Sequence, residues 1–163
     1  MRKLFLIFFI LICVKTFGFA EVIRGSISSV EVPEGFWGRW HVTSLMESSN
    51  NPDMFNKLSV DFWTLSGAGD GVLSLANEMT GAASTIKITK ENIEGLKLRF
   101  ERRKEEYEGD ILVRQIESPE ITLNGNVFQG YDTFIIEKYK NGVFLSKDIV
   151  KYKVVGQKIQ GSN

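Results

Sequence analysis

Apolar and polar residues alternate with a period of two along much of the chain. In the segment that begins near Trp40, residues Trp40, Val42 and Met46 share one side, and His41 and Thr43 share the other. A two-residue period is typical of a β-strand with one buried and one solvated face. The pattern therefore predicts strands whose apolar sides face a common core.

The same alternation recurs in four further segments. The apolar members that we expect to face the core are Leu58, Val60 and Phe62, then Ile86 and Ile88, then Leu96, Leu98 and Phe100, and finally Val150, Tyr152 and Val154. Between turn signals the chain has room for about ten strands, and no segment shows the 3.6-residue period of an amphipathic helix.

Turn-forming residues separate these segments at short intervals. Asn124-Gly125 and Asn141-Gly142 predict hairpins, because a type I′ turn needs a positive φ at both central positions. The glycine-rich run 67–71 precedes the strand-like segment 72–75 rather than a helix, so we interpret it as a hairpin loop and not a phosphate loop.

Residues 101–108 are good helix formers but carry no apolar stripe at helical spacing. We therefore predict the charged outer end of a long hairpin there. Together these signals predict an all-β fold, an antiparallel meander of about 8–10 strands closed into a barrel, with a β-sandwich as the alternative.

The first twenty residues have the pattern of a secretory signal peptide. Met1-Arg2-Lys3 is basic, residues 4–14 are an unbroken apolar run, and the small residues Gly18 and Ala20 stand where a signal peptidase cuts. The apolar run is shorter than the roughly 20 residues of a membrane-spanning helix. We therefore expect cleavage near Ala20 and export to the periplasm or the medium, without a membrane span afterwards.

Two alternatives to this cleavage stay open. One is an uncleaved membrane anchor, which the short apolar run disfavours. The other is lipid attachment at Cys13, which the large residue Ile12 before it disfavours. With the signal peptide at 1–20, a polar lead-in covers 21–35 and a single β-domain covers 36–163.

Removal of the signal peptide changes the composition. It leaves 17 basic against 20 acidic residues, so nucleic acid is not an expected partner. It also leaves no cysteine, and the domain must therefore be stable without disulfides, which is more typical of a bacterial envelope or secreted protein.

Candidate catalytic and metal-binding residues are few. His41 is the one histidine and has no second His or Cys as a partner in the processed chain, so neither a metal nor a cofactor is expected. The acids Asp61, Glu101, Glu117 and Glu137 alternate with apolar residues, as on a solvated outer face. We therefore expect a protein that is not an enzyme. A carboxylate-based hydrolase would require two acids that face one cavity.

Gly38-Arg39-Trp40, which follows Phe36-Trp37, resembles the Gly-x-Trp signature of the lipocalin and calycin β-barrels. The resemblance implies that Trp40 closes the barrel floor, that Gly38 lets the chain pass close by, and that a basic side chain covers the tryptophan, for which Lys151 and Lys153 are candidates. The Thr-Asp-Tyr motif, the C-terminal helix and the disulfide of that family are missing. Trp40 as an ordinary core residue of a β-sandwich stays the alternative.

Three functions follow as hypotheses. The first is a barrel that binds a small apolar molecule, with a pocket lined by Trp40, Phe62, Phe100, Phe134 and Tyr152. The same residues could instead form a packed core.

The second hypothesis is an interaction or structural module whose partner is an envelope or secreted protein. It depends on Trp37, Trp63 and Leu65, which alternate out of phase with the expected inner residues and would then be exposed. The third is the carboxylate-based hydrolase. The sequence favours binding over catalysis.

Overall fold

The computed structural model describes residues 30–67 and 71–159. The signal peptide, its cleavage site and residues 21–29 of the lead-in lie outside the described residues, as do 68–70 and 160–163. Within the described ranges, no helix has both the length and the apolar composition that are needed to span a membrane.

Ten β-strands form the described part of the protein, and 71% of the described residues are in strands. The strands are β1 Gly38–Ser49, β2 Leu58–Gly67, β3 Val72–Asn77, β4 Ala82–Lys87, β5 Ile93–Glu94, β6 Lys97–Arg99, β7 Arg102–Glu108, β8 Ile111–Asn124, β9 Val127–Lys140 and β10 Val143–Lys158. Three short 3-10 helices lie at Glu34–Phe36, Pro52–Met54 and Lys90–Asn92.

All ten strands belong to one antiparallel sheet in the order β4-β3-β2-β1-β10-β9-β8-β6-β5, with β7 also paired to β8. The last long strand, β10, returns to pair with β1. The sheet curls strongly into a half-barrel. The predicted all-β antiparallel meander is confirmed.

Full closure of the barrel, however, does not occur among the described residues. The strands β4 and β7 lie at opposite sides of the opening, and neither pairs with the other. The chain leaves β4 through the 3-10 helix at Lys90–Asn92, which is held by a capping box from Thr89, and it joins the sheet again beside β8. A gap therefore remains between β4 and β7.

The hairpin turns agree with the sequence in two cases and differ in one. Asn141 and Gly142 both have positive φ, 51° and 78°, as a type I′ turn requires. Residues 101–108 form the outer part of the β7–β8 hairpin, as predicted. The β8–β9 loop is Gly125-Asn126 rather than Asn124-Gly125, because Gly125 takes the first central position with φ 58°.

The hydrophobic core fills the end of the half-barrel where β1 begins, which we call the floor. Its largest fully buried members include Trp40, Phe36, Phe128, Leu65, Leu73, Leu75, Leu98 and Ile121. Val32, from the lead-in, is also buried among them. The part of the lead-in from residue 30 onward thus packs on the domain.

The inner face of β2 is the opposite of the predicted one. Leu58 and Val60 are 58% and 45% exposed, whereas Trp63 and Leu65 are 3% and 1% exposed. Both faces of β2 are rich in apolar residues, so alternation alone does not say which face is buried. The pairing of Trp63 with Trp40 decides it. Leu96, also expected inside, is exposed as well.

Candidate functional site

The floor of the half-barrel is filled by aromatic rings. The Trp40 and Phe128 ring centroids are 4.8 Å apart, and Trp63 stacks on Phe128 at 5.9 Å. The indole nitrogen of Trp40 donates a hydrogen bond to the Phe36 carbonyl oxygen at 2.9 Å, so its one polar atom is satisfied. Trp40 is therefore packed inside the hydrophobic core.

Gly38 and Lys158 complete the floor. Gly38 has φ 122°, and a Cβ atom there would lie 3.1 Å from Lys158 Cε. The Lys158 ammonium lies 5.3 Å from the Trp40 ring centroid and donates to the Gly35 carbonyl oxygen at 3.0 Å. Glycine therefore lets the lysine pass close to the tryptophan.

The basic residue over Trp40 is thus Lys158. Lys151 and Lys153, which were the candidates from the sequence, do not occupy this position. In the register of β1 against β10, Lys158 lies directly opposite Trp40. Lys151 instead lies over the Tyr131 ring at 3.9 Å, on the convex face of the sheet. This register depends on a contact between the two ends of the domain, which alternation within one strand does not reveal.

The opposite end of the half-barrel is hollow. A cavity of about 530 Å³ lies between the edge strands β4 and β7. It is lined by Thr80, Gly81, Ala82, Ala83, Ser84, Arg102, Arg103, Lys104, Gln115, Glu117 and Phe134. A volume of this size is within the usual range of small-molecule sites.

The walls of this cavity differ in charge. The β4 wall, residues 80–84, consists of small uncharged residues. The β7 wall carries the three basic residues 102–104, and Glu117 on β8 is the one acid of the lining. Phe134 provides the one aromatic surface, and Phe55 packs against it edge-on, with ring centroids 6.3 Å apart. The cavity is therefore amphipathic rather than wholly apolar.

A cluster of three charged side chains lies on the concave face at this end. Arg102 pairs with Glu117, and only 17% and 14% of their side chains are exposed. Asp132, 7% exposed, lies two residue pairs further along the β8–β9 ladder than Phe134, on the same face, and Phe134 is opposite Glu117. Asp132 Oδ1 is buried and has no hydrogen-bond partner among the described residues.

Burial raises the pKa of the Asp132 carboxyl well above its usual range. The proximity of the Glu117 carboxyl group raises this pKa further. Arg102 opposes the shift only in part, because its guanidinium pairs with Glu117. Burial and the neighbouring Glu117 therefore favour the protonated form of Asp132 more than they would for an exposed carboxyl group.

The five residues expected to line a pocket lie in different places. Phe134 lines the cavity, whereas Trp40 and Phe100 are buried in the core. Tyr152 is half-buried against the core, and its hydroxyl donates to the Asn56 carbonyl oxygen at 3.0 Å.

Phe62 lies on the convex face, outside the half-barrel. It is directly opposite His41 in the β1–β2 ladder, with ring centroids 5.3 Å apart, and the Arg39 guanidinium lies over it. The prediction that Phe62 faces the interior is therefore wrong. Both faces of β2 are rich in apolar residues, so alternation did not show which one is buried.

The surface expected from Trp37, Trp63 and Leu65 does not exist. Trp63 and Leu65 are buried, and Trp37 is half-buried against the core. An interaction surface at these three residues is excluded.

The expectation that the acids lie on the outer face is wrong for two of them. Asp61 is on the concave face, where it accepts hydrogen bonds from Ser59 at 2.8 Å and Asn77 at 3.1 Å. Glu117 is in the cavity lining, as described above.

Sequence reasoning also missed Asp132 and Arg102, because only the pairing of β7, β8 and β9 brings them to Glu117.

Within residues 30–67 and 71–159, no group of three His, Cys, Asp or Glu side chains is arranged to hold a metal ion. A comparison of the chain with protein-family models gives no match, and a search of the curated proteins gives none either. The geometry of the half-barrel is therefore what indicates a function.

Proposed function

We propose that the protein is an exported binding protein with a lipocalin-like half-barrel, and that it holds one small amphiphilic molecule between β4 and β7. The observation that carries this proposal is the cavity of about 530 Å³ at one end of an otherwise filled half-barrel. Concave sites of this volume, with a few polar groups among apolar ones, are typical of small-molecule binding.

The floor supports the lipocalin-like part of the proposal. Trp40 is buried at the closed end, Gly38 has a positive φ, and Lys158 covers the indole ring. These are the three features that the Gly-x-Trp resemblance implies. In such a barrel the last strand pairs with the first, as β10 pairs with β1.

The cavity lining supports an amphiphile rather than the wholly apolar ligand that the sequence favours. Phe134 and the small residues Ala82 and Ala83 offer apolar contact. Gln115 and Ser84 offer hydrogen bonds, and the β7 wall offers cations. A ligand with an apolar body and an anionic or hydroxyl-bearing end matches these surfaces.

We propose that the protein does not catalyse a reaction, although two acids share the concave face. An acid of a hydrolase must reach the bond that it protonates. Asp132 Oδ1 is sealed from solvent, and the Glu117 carboxylate is held by Arg102. Asp132 therefore does not reach a ligand in the cavity, and Glu117, although it lines the cavity, is engaged by Arg102.

A fluorescent amphiphile that carries a naphthalene ring and a sulfonate tests the proposal. We expect saturable binding of one probe per chain, displaced by a competing amphiphile without fluorescence. Ser84→Trp should abolish it, because the indole would fill the cavity that Ser84 lines.

Thr85→Trp is the matched control. Thr85 is the next residue on β4 and is exposed on the other face, so this variant should bind the probe like the wild type. Equal binding by the two variants, or a probe that never saturates on the wild type, would rule out this site.

Export rests on the N-terminal pattern and has its own test. The proposal expects a native product that begins near Glu21, which intact mass measurement of the purified protein detects. A product that keeps residues 1–20 would contradict export by cleavage.

A further inference from the structure

A contiguous set of exposed apolar side chains lies on the convex face of the sheet. Leu45, Leu58, Val60 and Val155 are 55%, 58%, 45% and 40% exposed. We call these four residues, with Phe62, the convex island. It is on the side of the sheet opposite the cavity.

The strand register shows that the island is continuous. Leu45 on β1 lies opposite Leu58 on β2. In the next outward-facing row, Thr43 on β1 lies between Val60 on β2 and Val155 on β10. Directly opposite residues in antiparallel strands are close enough to touch, so Leu45 meets Leu58, and Thr43 joins Val60 to Val155. The island is therefore one surface with a single polar residue, Thr43, inside it.

The position of the island determines how a partner can cover it. Leu45 and Thr43 are in β1, which pairs with both β2 and β10, and Val155 is in β10, which pairs with both β1 and β9. No unpaired backbone is left at these three positions for strand addition. A partner must therefore pack against the face of the sheet, as in a β-sandwich.

The rim of the island carries balanced charges. At one end Arg39 pairs with Glu78, and at the other end Lys151 pairs with Glu47 at 2.7 Å. Each end therefore presents a cation paired with an anion, and the end at Lys151 carries Lys153 as a further cation. If a two-fold axis in the interface relates two copies, each end of one island faces an end of the other island that also carries both signs of charge. This holds whether the axis runs along or across the strands, so a cation can meet an anion.

We propose that the convex island is the interface with a second copy of this chain, packed face to face about a two-fold axis. An apolar centre with a rim of both signs is the anatomy of a self-complementary interface. An anionic membrane would instead require a cluster of four to eight basic residues. Lys153, opposite Leu45, adds only one cation to the balanced rim.

Sedimentation velocity over a range of protein concentrations tests this inference on the purified native protein. We expect a reversible monomer–dimer equilibrium. Val60→Glu and, separately, Val155→Glu should each weaken self-association at least about tenfold, because both positions lie opposite Thr43 and the two-fold axis brings an unpaired carboxylate into the interface twice.

Leu96→Glu is the matched control, because Leu96 is 52% exposed but lies in the connection between β5 and β6, away from the island. It should self-associate like the wild type. Far-ultraviolet circular dichroism confirms that every variant is folded.

Three results would overturn the inference: a wild type that stays monomeric at all concentrations, island variants that dimerise like the wild type, or a monomer whose island binds vesicles of anionic lipid. Probe binding in the cavity is independent of this result, so failure of the dimer and failure of the proposed function are distinguishable.

Discussion

The two ends of the half-barrel are built from the same strands but differ in what fills them. At the floor, β1 and β9 contribute Trp40 and Phe128, whose rings pack together. At the open end, β9 contributes Asp132 and Phe134 to the same face, and a cavity of about 530 Å³ remains.

The difference indicates that the floor stabilises the fold, whereas the open end of the same sheet is available for function. Large apolar side chains occupy the concave positions at the floor, and their burial supplies most of the hydrophobic stabilisation. Small or charged side chains occupy these positions at the open end, where a buried charge costs free energy unless it is paired. The open end is therefore the part that a ligand can complete.

The largest effect should come from the floor. Trp40→Ala removes a fully buried ring and should lower the free energy of unfolding by about 3–5 kcal/mol. Phe134→Ala, at the open end, should cost about 1 kcal/mol, because Phe134 is only half-buried and faces the cavity. Urea unfolding followed by circular dichroism measures both, and equal losses would contradict the division between the two ends.

A glycine at the floor should also be sensitive to substitution. A Cβ atom on Gly156 would lie 2.2 Å from the Phe128 ring, so Gly156→Ala should displace that ring and cost about 1–3 kcal/mol.

Gly67→Ala is the control, since its Cβ would meet nothing closer than 3.8 Å and Gly67 lacks a positive φ. The control should leave the urea midpoint nearly unchanged. A Gly156→Ala midpoint that matches the control would show that the floor is loosely packed.

The charged cluster at the open end should respond to pH. The folded state raises the pKa of Asp132, so it holds this proton more tightly than the unfolded state does. Its contribution to stability is therefore fully present below the ordinary carboxyl pKa and is lost as the pH rises through the raised value. Asp132→Asn cannot ionise and should lose this dependence.

The difference in unfolding free energy between Asp132→Asn and the wild type should accordingly shift in favour of the variant from about pH 4 to about pH 8. The shift is about 1.4 kcal/mol for each unit by which folding raises the pKa. Acids such as Glu78 and Glu137, whose pKa values are lowered by their partners, contribute equally to both proteins and cancel. A difference that does not change with pH would mean that folding does not raise the pKa of Asp132.

Local sequence signals were sufficient for the strands, most turns and the floor. Alternation around Trp40 and Val154 identified buried positions, because the residues next to them on the other face, His41 and Lys153, are polar. The same reasoning failed for β2, where Phe62 and Trp63 place aromatic rings on both faces. Only the partner strand decides which ring is buried.

The charged cluster could not be predicted for a different reason. Glu117 alternates with apolar neighbours exactly as a solvated acid does, and Asp132 has no local pattern that marks it as buried. Arg102, Glu117 and Asp132 come together across three strands, and this register depends on long-range pairing. Within the cavity lining, Phe134 alone among the expected pocket residues was identified from the sequence.

The most direct test of the filled floor and the hollow open end is a titration of the protein with the sulfonate probe, followed by amide chemical shifts in nuclear magnetic resonance. The account predicts saturating shifts in β4, β7 and around Phe134, with the amides around Trp40 and Phe128 unchanged. Shifts centred on Trp40 and Phe128 would contradict it, because they would place the binding space at the floor.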